Sequence, residues 1–258
     1  MRFKLNLQSH QRQLSVPFNY QYPLSAAIYK IIQTADAKFA AFLHDKGYGQ
    51  GHKSFKLFTF SDIKTPFVKN GDRMQLRTTE AELIICFYMP QAAENFIKGL
   101  FINQQLEIAD FRSKATFNII GVESLQDEIR ARTTVVLQPL SPLVVGRKNE
   151  RGHYDYRSPA DEDFAECLYY NWIEKCAAAG IDEEILDKEI CINVRPFSYP
   201  PQQRLITIKG GTVAETKIRG YTKFRLEVSA SAEVLEVALG AGLGLHNAQG
   251  MGCMGLVE

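Results

Sequence analysis

The stretch Gly240-Ala241-Gly242-Leu243-Gly244-Leu245-His246-Asn247-Ala248-Gln249-Gly250-Met251-Gly252 decides how this chain is read. Its glycines are paired: Gly242-x-Gly244, five residues, then Gly250-x-Gly252. Glycine is needed where backbone takes positive φ or comes close to another surface. A helix C-cap accounts for one or two such residues, but not for the paired spacing. Upstream, Ser231 can cap a short helix carrying Val234, Leu235 and Leu239. Downstream, residues 250–257 read as a strand. A dinucleotide loop runs from strand to helix, whereas this one runs from helix to strand. It also lacks the Gly-Lys-Ser/Thr ending of a nucleoside-triphosphate loop. It can still turn a row of backbone N–H groups towards phosphates.

Before the loop, residues 132–138 (RTTVVLQ) read as a strand, and 161–179 as a helix with Phe164, Leu168, Trp172 and Cys176 recurring every four residues. Strands follow at 189–195, 204–208 and 218–228. Residues 126–131 are polar and form a junction. Ahead of it the same order occurs. Phe3, Leu5 and Leu7 alternate with polar residues, as in a strand. Residues 23–43 read helical, interrupted at Thr34–Asp36, which can cap a second helix. LFTFS (57–61) and ELIICFY (82–88) read as strands, with a turn at Asn70-Gly71 between them. Pro90 opens a helix bearing Ala93, Phe96, Ile97, Leu100 and Phe101. Residues 104–109 and 116–125 alternate like strands. Two successive strand-helix-strand-strand-helix-strand units predict an α+β protein of two tandem ferredoxin-like (RRM-like) domains, 1–128 and 129–258, with a C-terminal glycine-rich loop. The acidic stretch 150–187 reads as a solvated helix and its flanks.

The 258 residues suffice for two cores, and 45% hydrophobic with 23% charged residues is ordinary for a globular chain. No apolar run nears the roughly 18 residues of a membrane helix, and the N-terminus lacks the apolar block of a signal peptide. Cys86, Cys167, Cys176, Cys191 and Cys253 are scattered and odd in number, which predicts buried, reduced thiols in a cytoplasmic protein. No metal or cofactor is expected. Net charge is only +1, but it is unevenly spread. Residues 1–60 hold eight Lys/Arg against two Asp/Glu, 191–225 hold seven against one, and 150–190 hold four against twelve. A polyanion responds to the local field, so two basic zones around an acidic one suit a protein that offers phosphates one face.

The glycine spacing resembles the C-terminal signature of the repeat-associated RAMP superfamily, specifically the CRISPR-associated endoribonucleases of the Cas6 family. "YPLSAAIYKII" (22–32), "AAFLHDKGY" (40–48) and "FKLFTFS" (55–61) resemble that family's N-terminal blocks, in the same order. The resemblance implies cleavage of CRISPR repeat RNA without metal. The 2′-hydroxyl attacks the adjacent phosphorus and displaces the 5′ oxygen, leaving a 2′,3′-cyclic phosphate and a 5′-hydroxyl. That chemistry needs proton carriers at both oxygens and positive charge at the phosphate. Among five histidines, the resemblance places the active one at His44, the tyrosine at Tyr29 and the lysine at Lys56. His44 is then general acid or base, Tyr29 orients the 2′-hydroxyl or takes its proton, and Lys56 neutralises the phosphate. His52 and Lys53, in the glycine-containing loop 47–51 and just after it, are alternatives for one member. Tyr29 and His44 are fifteen residues apart, roughly 22 Å along a straight helix. Thr34–Asp36 must therefore turn the chain for the two to share one phosphate.

For the RNA itself, the loop offers Gly242, Gly244, His246, Gly250 and Gly252. Lys209, Lys217, Arg219, Lys223 and Arg225 offer phosphate contacts, with Lys223 and Arg225 on one sheet face. Expected partners are CRISPR repeat RNA and other CRISPR-associated proteins; a homodimer stays open. The rival reading is a non-cutting RAMP-type RNA-binding subunit of a CRISPR effector complex, which needs the fold and the loop but not Tyr29, His44 and Lys56.

Overall fold

Leu5 and Leu7 point into a core while Lys4 and Asn6 stay half-buried, so the first strand has one dry face. The computed structural model describes residues 1–49, 53–126, 129, 133–186, 190–210 and 212–257. The first half runs β1 (Arg2–Gln8), β2 (Ser15–Pro17), α1 (Gln21–Ala35), α2 (Ala37–Ala41), one π-helical turn (Phe42–Lys46), β3 (Phe58–Phe60), β4 (Phe67–Asn70), β5 (Arg73–Leu76), β6 (Glu80–Phe87), α3 (Pro90–Ile102), β7 (Gln105–Ala109) and β8 (Lys114–Leu125). Its antiparallel sheet has the order β3-β6-β1-β8-β7. The central four strands follow ferredoxin-like topology, with β7 added at the edge. Leu24, Ile28 and Ile32 of α1 and Ala93, Phe96 and Leu100 of α3 cover the same core as Leu5, Leu83 and Phe117. A smaller sheet, β2-β5-β4, turns at Asn70-Gly71, where Gly71 takes φ +59°.

The second half runs β9 (Thr134–Pro139), β10 (Val145–Lys148), β11 (Tyr154–Arg157), α4 (Phe164–Ala178), α5 (Glu183–Leu186), β12 (Cys191–Pro196), β13 (Gln203–Ile208), β14 (Thr216–Tyr221), β15 (Phe224–Ser229), α6 (Ala232–Ala241), a 3-10 turn (Asn247–Gln249) and β16 (Met254–Leu256). The sheet order β12-β15-β9-β16 is again ferredoxin-like. Phe164, Leu168 and Trp172 from α4 meet Leu235 and Leu239 from α6 over Leu137, Phe224 and Leu226. Ser231 caps α6 by accepting from the Val234 amide at 3.4 Å. The fold class is as the sequence predicts. The expected junction at 126–131 falls largely on residues outside those described.

Three local readings are corrected. Residues 218–228 are not one strand: β14 pairs with β13 in a separate hairpin, and β15 joins the main sheet. Neither Thr222 nor Lys223 is a turn residue, so alternation ran unbroken through the corner. Part of the acidic stretch is the strand β11, hairpinned to β10; only Phe164–Ala178 forms the long helix, and its apolar stripe is buried. All five cysteines are reduced thiols and Cys86, Cys176 and Cys253 are buried, but Cys167 is partly open and Cys191 is exposed. In β12 it is Ile192 and Val194 that face the core.

Candidate active site

Asp36 breaks the helical stretch. Its backbone is extended (φ −150°, ψ 99°), and its side chain accepts from the Phe39 amide at 2.9 Å, an N-cap that starts α2 in a new direction. Phe39, Ala40 and Leu43 anchor the redirected segment in the core. The π-helical turn ends at Gly47 (φ +68°), whose N–H donates to Phe42 O at 2.8 Å. The Tyr29 and His44 rings consequently meet edge to face, with centroids 5.2 Å apart at 79°. Phe58 of β3 supports Tyr29 from the other side at 5.5 Å. Beyond the ring contact, the His44 side chain is 69% exposed, with Nδ1 2.8 Å from Asp45 Oδ1. Burial pushes the Tyr29 phenol well above its ordinary range, so at neutral pH it is a hydroxyl that can donate.

Lys56 is brought alongside by a backbone bridge. The Tyr48 amide donates to Phe55 O at 2.8 Å, and the Phe55 amide returns to Tyr48 O at 2.7 Å. A Cβ built on Gly47 would lie 2.9 Å from Lys56 Cδ and 3.1 Å from its Nζ. Glycine at 47 thus leaves room for the lysine to lie against the turn carrying His44. Burial lowers the Lys56 ammonium from its usual range, and the Asp45 carboxylate opposes that shift. His52 lies outside the described residues. Lys53 lines the same groove, paired with Glu174 at 2.5 Å.

Tyr29, His44 and Lys56 line one groove of about 1080 Å³ between the two halves. From the second half, the groove is lined by α4 (Tyr170, Asn171), the β10–β11 hairpin (Arg147, Lys148, Tyr154) and loop residues Gly244–Gln249. Gly242, Gly244, Gly250 and Gly252 are themselves buried, with φ between +66° and +82°. The amides of Gly250 and Gly252 donate inside the fold, to Asn247 O and Pro142 O. A Cβ at Gly250 would fall 2.3 Å from the Phe60 ring, and one at Gly244 would fall 2.3 Å from Val144 O. These glycines serve close approach, and the groove is faced by the stretch between them. His246 adopts φ +61°. Its Nδ1 is 3.0 Å from Gln249 Oε1, its ring stands edge-on to Tyr154 at 6.1 Å, and burial lowers its pKa.

Beneath the loop, Lys175 is 1% exposed. Its Nζ donates to Gly242 O at 2.6 Å, Gly244 O at 3.1 Å and Asn247 Oδ1 at 2.6 Å. Sequence reasoning passed over this residue. Lys175 falls three positions after Trp172, beside the apolar stripe of α4, and nothing local in the sequence shows which oxygens it meets. Tyr154 was hidden inside the acidic stretch, and Arg147 and Lys148 fall just before it, where no element was predicted.

The five basic candidates are not brought together. Lys217 and Arg219 are exposed on β14, and Lys209 follows β13 with its Nζ 5.9 Å from the Tyr22 ring centroid. Lys223 and Arg225 project from the outer face of the main sheet, where the Arg225 guanidinium lies 5.5 Å from the Phe197 ring. None of the five is among the groove-lining residues.

Comparison with known proteins bears on this arrangement. Residues 123–256 match the family described as "CRISPR associated protein Cas6, C-terminal", and residues 15–116 match "CRISPR-associated protein Cas6, N-terminal". The chain is 25% identical over 220 residues to the CRISPR-associated endoribonuclease Cas6 of Pyrococcus furiosus, covering 80% of this chain and 78% of that protein. It is 30% identical over 115 residues to a second such endoribonuclease, from Methanocaldococcus jannaschii, covering 43% and 41% respectively. Two solved structures support the fold. One is described as a CRISPR associated protein Cas6, with TM-score 0.74, 22% identity, and 100% and 99% coverage of the two chains. The other is a Cas6-related protein from Pyrococcus furiosus, with TM-score 0.80, 18% identity, and 100% and 98% coverage. With family matches over both halves and more than half the chain inside one of them, this chain belongs to the CRISPR-associated Cas6 family.

Proposed function

We propose that this protein is an endoribonuclease that cuts CRISPR repeat RNA without a metal ion, with Tyr29, His44 and Lys56 as its catalytic group. One observation carries the reading: the Asp36 break brings Tyr29 within 5.2 Å of His44 in a groove that Lys56 also lines. The relatives described as endoribonucleases support it. RNA lies in the groove with the scissile phosphate over the trio. His44 is exposed enough to reach the substrate and moves protons as general acid or base. Tyr29, held as a neutral phenol, donates a hydrogen bond that orients the reacting hydroxyl. Lys56 offsets charge building on the phosphate oxygens. The 2′-hydroxyl attacks in line and the 5′ oxygen leaves, giving a 2′,3′-cyclic phosphate and a 5′-hydroxyl. Residues 1–128 form the catalytic domain. Residues 129–258 form the RNA-holding domain, which contributes Gly244–Gln249 and, outside the groove, Lys209, Lys217, Arg219, Lys223 and Arg225.

The test is cleavage of a labelled CRISPR repeat RNA in EDTA, beside His44→Ala and a substrate with a 2′-deoxy at the cut site. Cutting by the wild type alone, with cyclic-phosphate ends, is the expected result. Equal cutting by His44→Ala removes that residue from the mechanism, and cutting of the deoxy substrate rejects 2′-hydroxyl attack.

A further inference from the structure

Lys175 sits in the second half, almost fully buried where the wall of the groove meets the loop. Its three N–H donors meet three oxygen acceptors within 3.1 Å, and none of the three is a carboxylate. A buried ammonium is costly, and packing α4 against α6 does not require one, since Trp172 and Leu168 already fill that interface. All its acceptors belong to one short stretch, Gly242–Asn247.

The residues that follow this stretch are held by the first half. Ser25 Oγ donates to Ala248 O at 2.6 Å, and Thr59 Oγ1 donates to Met251 O at 2.9 Å. Ser25 lies one helical turn before Tyr29 on α1. Asn247 completes the brace, donating to Leu243 O at 2.8 Å and Met251 O at 3.0 Å. The loop is therefore held between Lys175 on α4 and hydroxyls on α1, which carries Tyr29, and on β3, which follows Lys56.

We propose that Lys175 is a positioning residue for RNA binding: its three hydrogen bonds fix the loop Gly244–Gln249, which lines the same groove as Tyr29 and His44. This rests on the groove being the RNA site. Lys175 itself touches no reacting atom. Loss of its donors frees the loop while leaving the catalytic group on its own elements, so affinity falls and the chemical step at saturation does not.

The experiment compares wild type, Lys175→Met and Lys175→Gln on one CRISPR repeat RNA. Equilibrium binding is read with the 2′-deoxy substrate, and single-turnover cleavage with saturating protein. Lys175→Met is expected to weaken binding about ten-fold, the loss of roughly one charge-assisted hydrogen bond, with the saturated rate within about three-fold. Lys175→Gln, which keeps two N–H donors, recovers part of the affinity; it also decides the matter if the methionine variant does not fold. A folded variant that binds as tightly as wild type overturns the proposal, as does a glutamine variant no better than methionine. Failure of the underlying reading looks different: wild-type protein would leave the repeat uncut, or His44→Ala would cut equally well.

Discussion

Burial lowers the Lys175 ammonium to about 7, while an unfolded chain holds its lysine proton to about 10.4. Below pH 7 both states carry the proton, and the native state bears the full cost of a buried charge. Between about pH 7 and 10.4 the unfolded chain keeps a proton that the native state has released. The unfolded state then binds more protons, so stability rises with pH across that window. Each unit is worth roughly 1.4 kcal/mol, which makes the gain about 3 kcal/mol between pH 6.5 and 9.5. Cys176, its neighbour, has a thiol pushed up to about 12 by burial, with the Lys175 charge opposing that rise; losing the lysine lifts the thiol further, so in both proteins it stays protonated across the window. The measurement is urea unfolding of wild type and Lys175→Met at intervals across pH 6.5–9.5. The difference in unfolding free energy, wild type minus variant, should grow with pH by about 3 kcal/mol, an order-of-magnitude figure. At the acid end the wild type carries the full cost of the buried charge, so the difference takes its lowest value there. Parallel curves across the window would show that the lysine is not held against its charge.

Asp36→Ala removes the cap of α2 and should cost about 1 kcal/mol and slow RNA cutting; an unchanged melting temperature with unchanged cleavage would discount the hinge. Gly250→Ala asks an L-residue to adopt φ +82° with its Cβ against Phe60, which should cost at least about 2 kcal/mol in denaturant unfolding, and a variant as stable as wild type contradicts the close approach. Tyr29→Phe should slow single-turnover cleavage without changing the shape of the pH–rate profile between about 6 and 9.5, because burial keeps the phenol protonated there. An alkaline limb present in wild type and missing in the variant would make Tyr29 a base instead.

What the sequence disclosed followed from short-range chemistry. Asp36 is a capping residue inside an otherwise helical run, so the break was legible, as was the need for it once Tyr29 and His44 had to meet. The apolar stripes of α1, α3 and α4 announced the two cores. Three features stayed hidden because they depend on residues far apart in the chain. The corner at Thr222–Lys223 comes where β14 leaves the main sheet to pair with β13, and nothing at those two positions marks a turn. The β10–β11 hairpin alternates Tyr154 and Tyr156 within a stretch whose net charge suggested a solvated helix. Lys175 looks like one more surface lysine until the loop carbonyls some seventy residues later are folded over it.

The glycine spacing itself is explained by what the loop touches. A loop built only to grip phosphate would keep its amides open. Here the amides of Leu243, Leu245, Gly250 and Gly252 all donate to backbone oxygens within the fold. The positions that must be glycine are those where a Cβ would strike a neighbour: Gly250 against Phe60, Gly242 against Thr59 and Asn247, Gly244 against Val144. Two of those neighbours, Phe60 and Thr59, belong to β3, the strand that follows Lys56. The C-terminal spacing and the N-terminal blocks therefore describe the two sides of one contact, which seats the groove-lining stretch Gly244–Gln249 against β3. A change that widens the contact at Phe60 or Thr59 should loosen RNA binding even though neither side chain lines the groove.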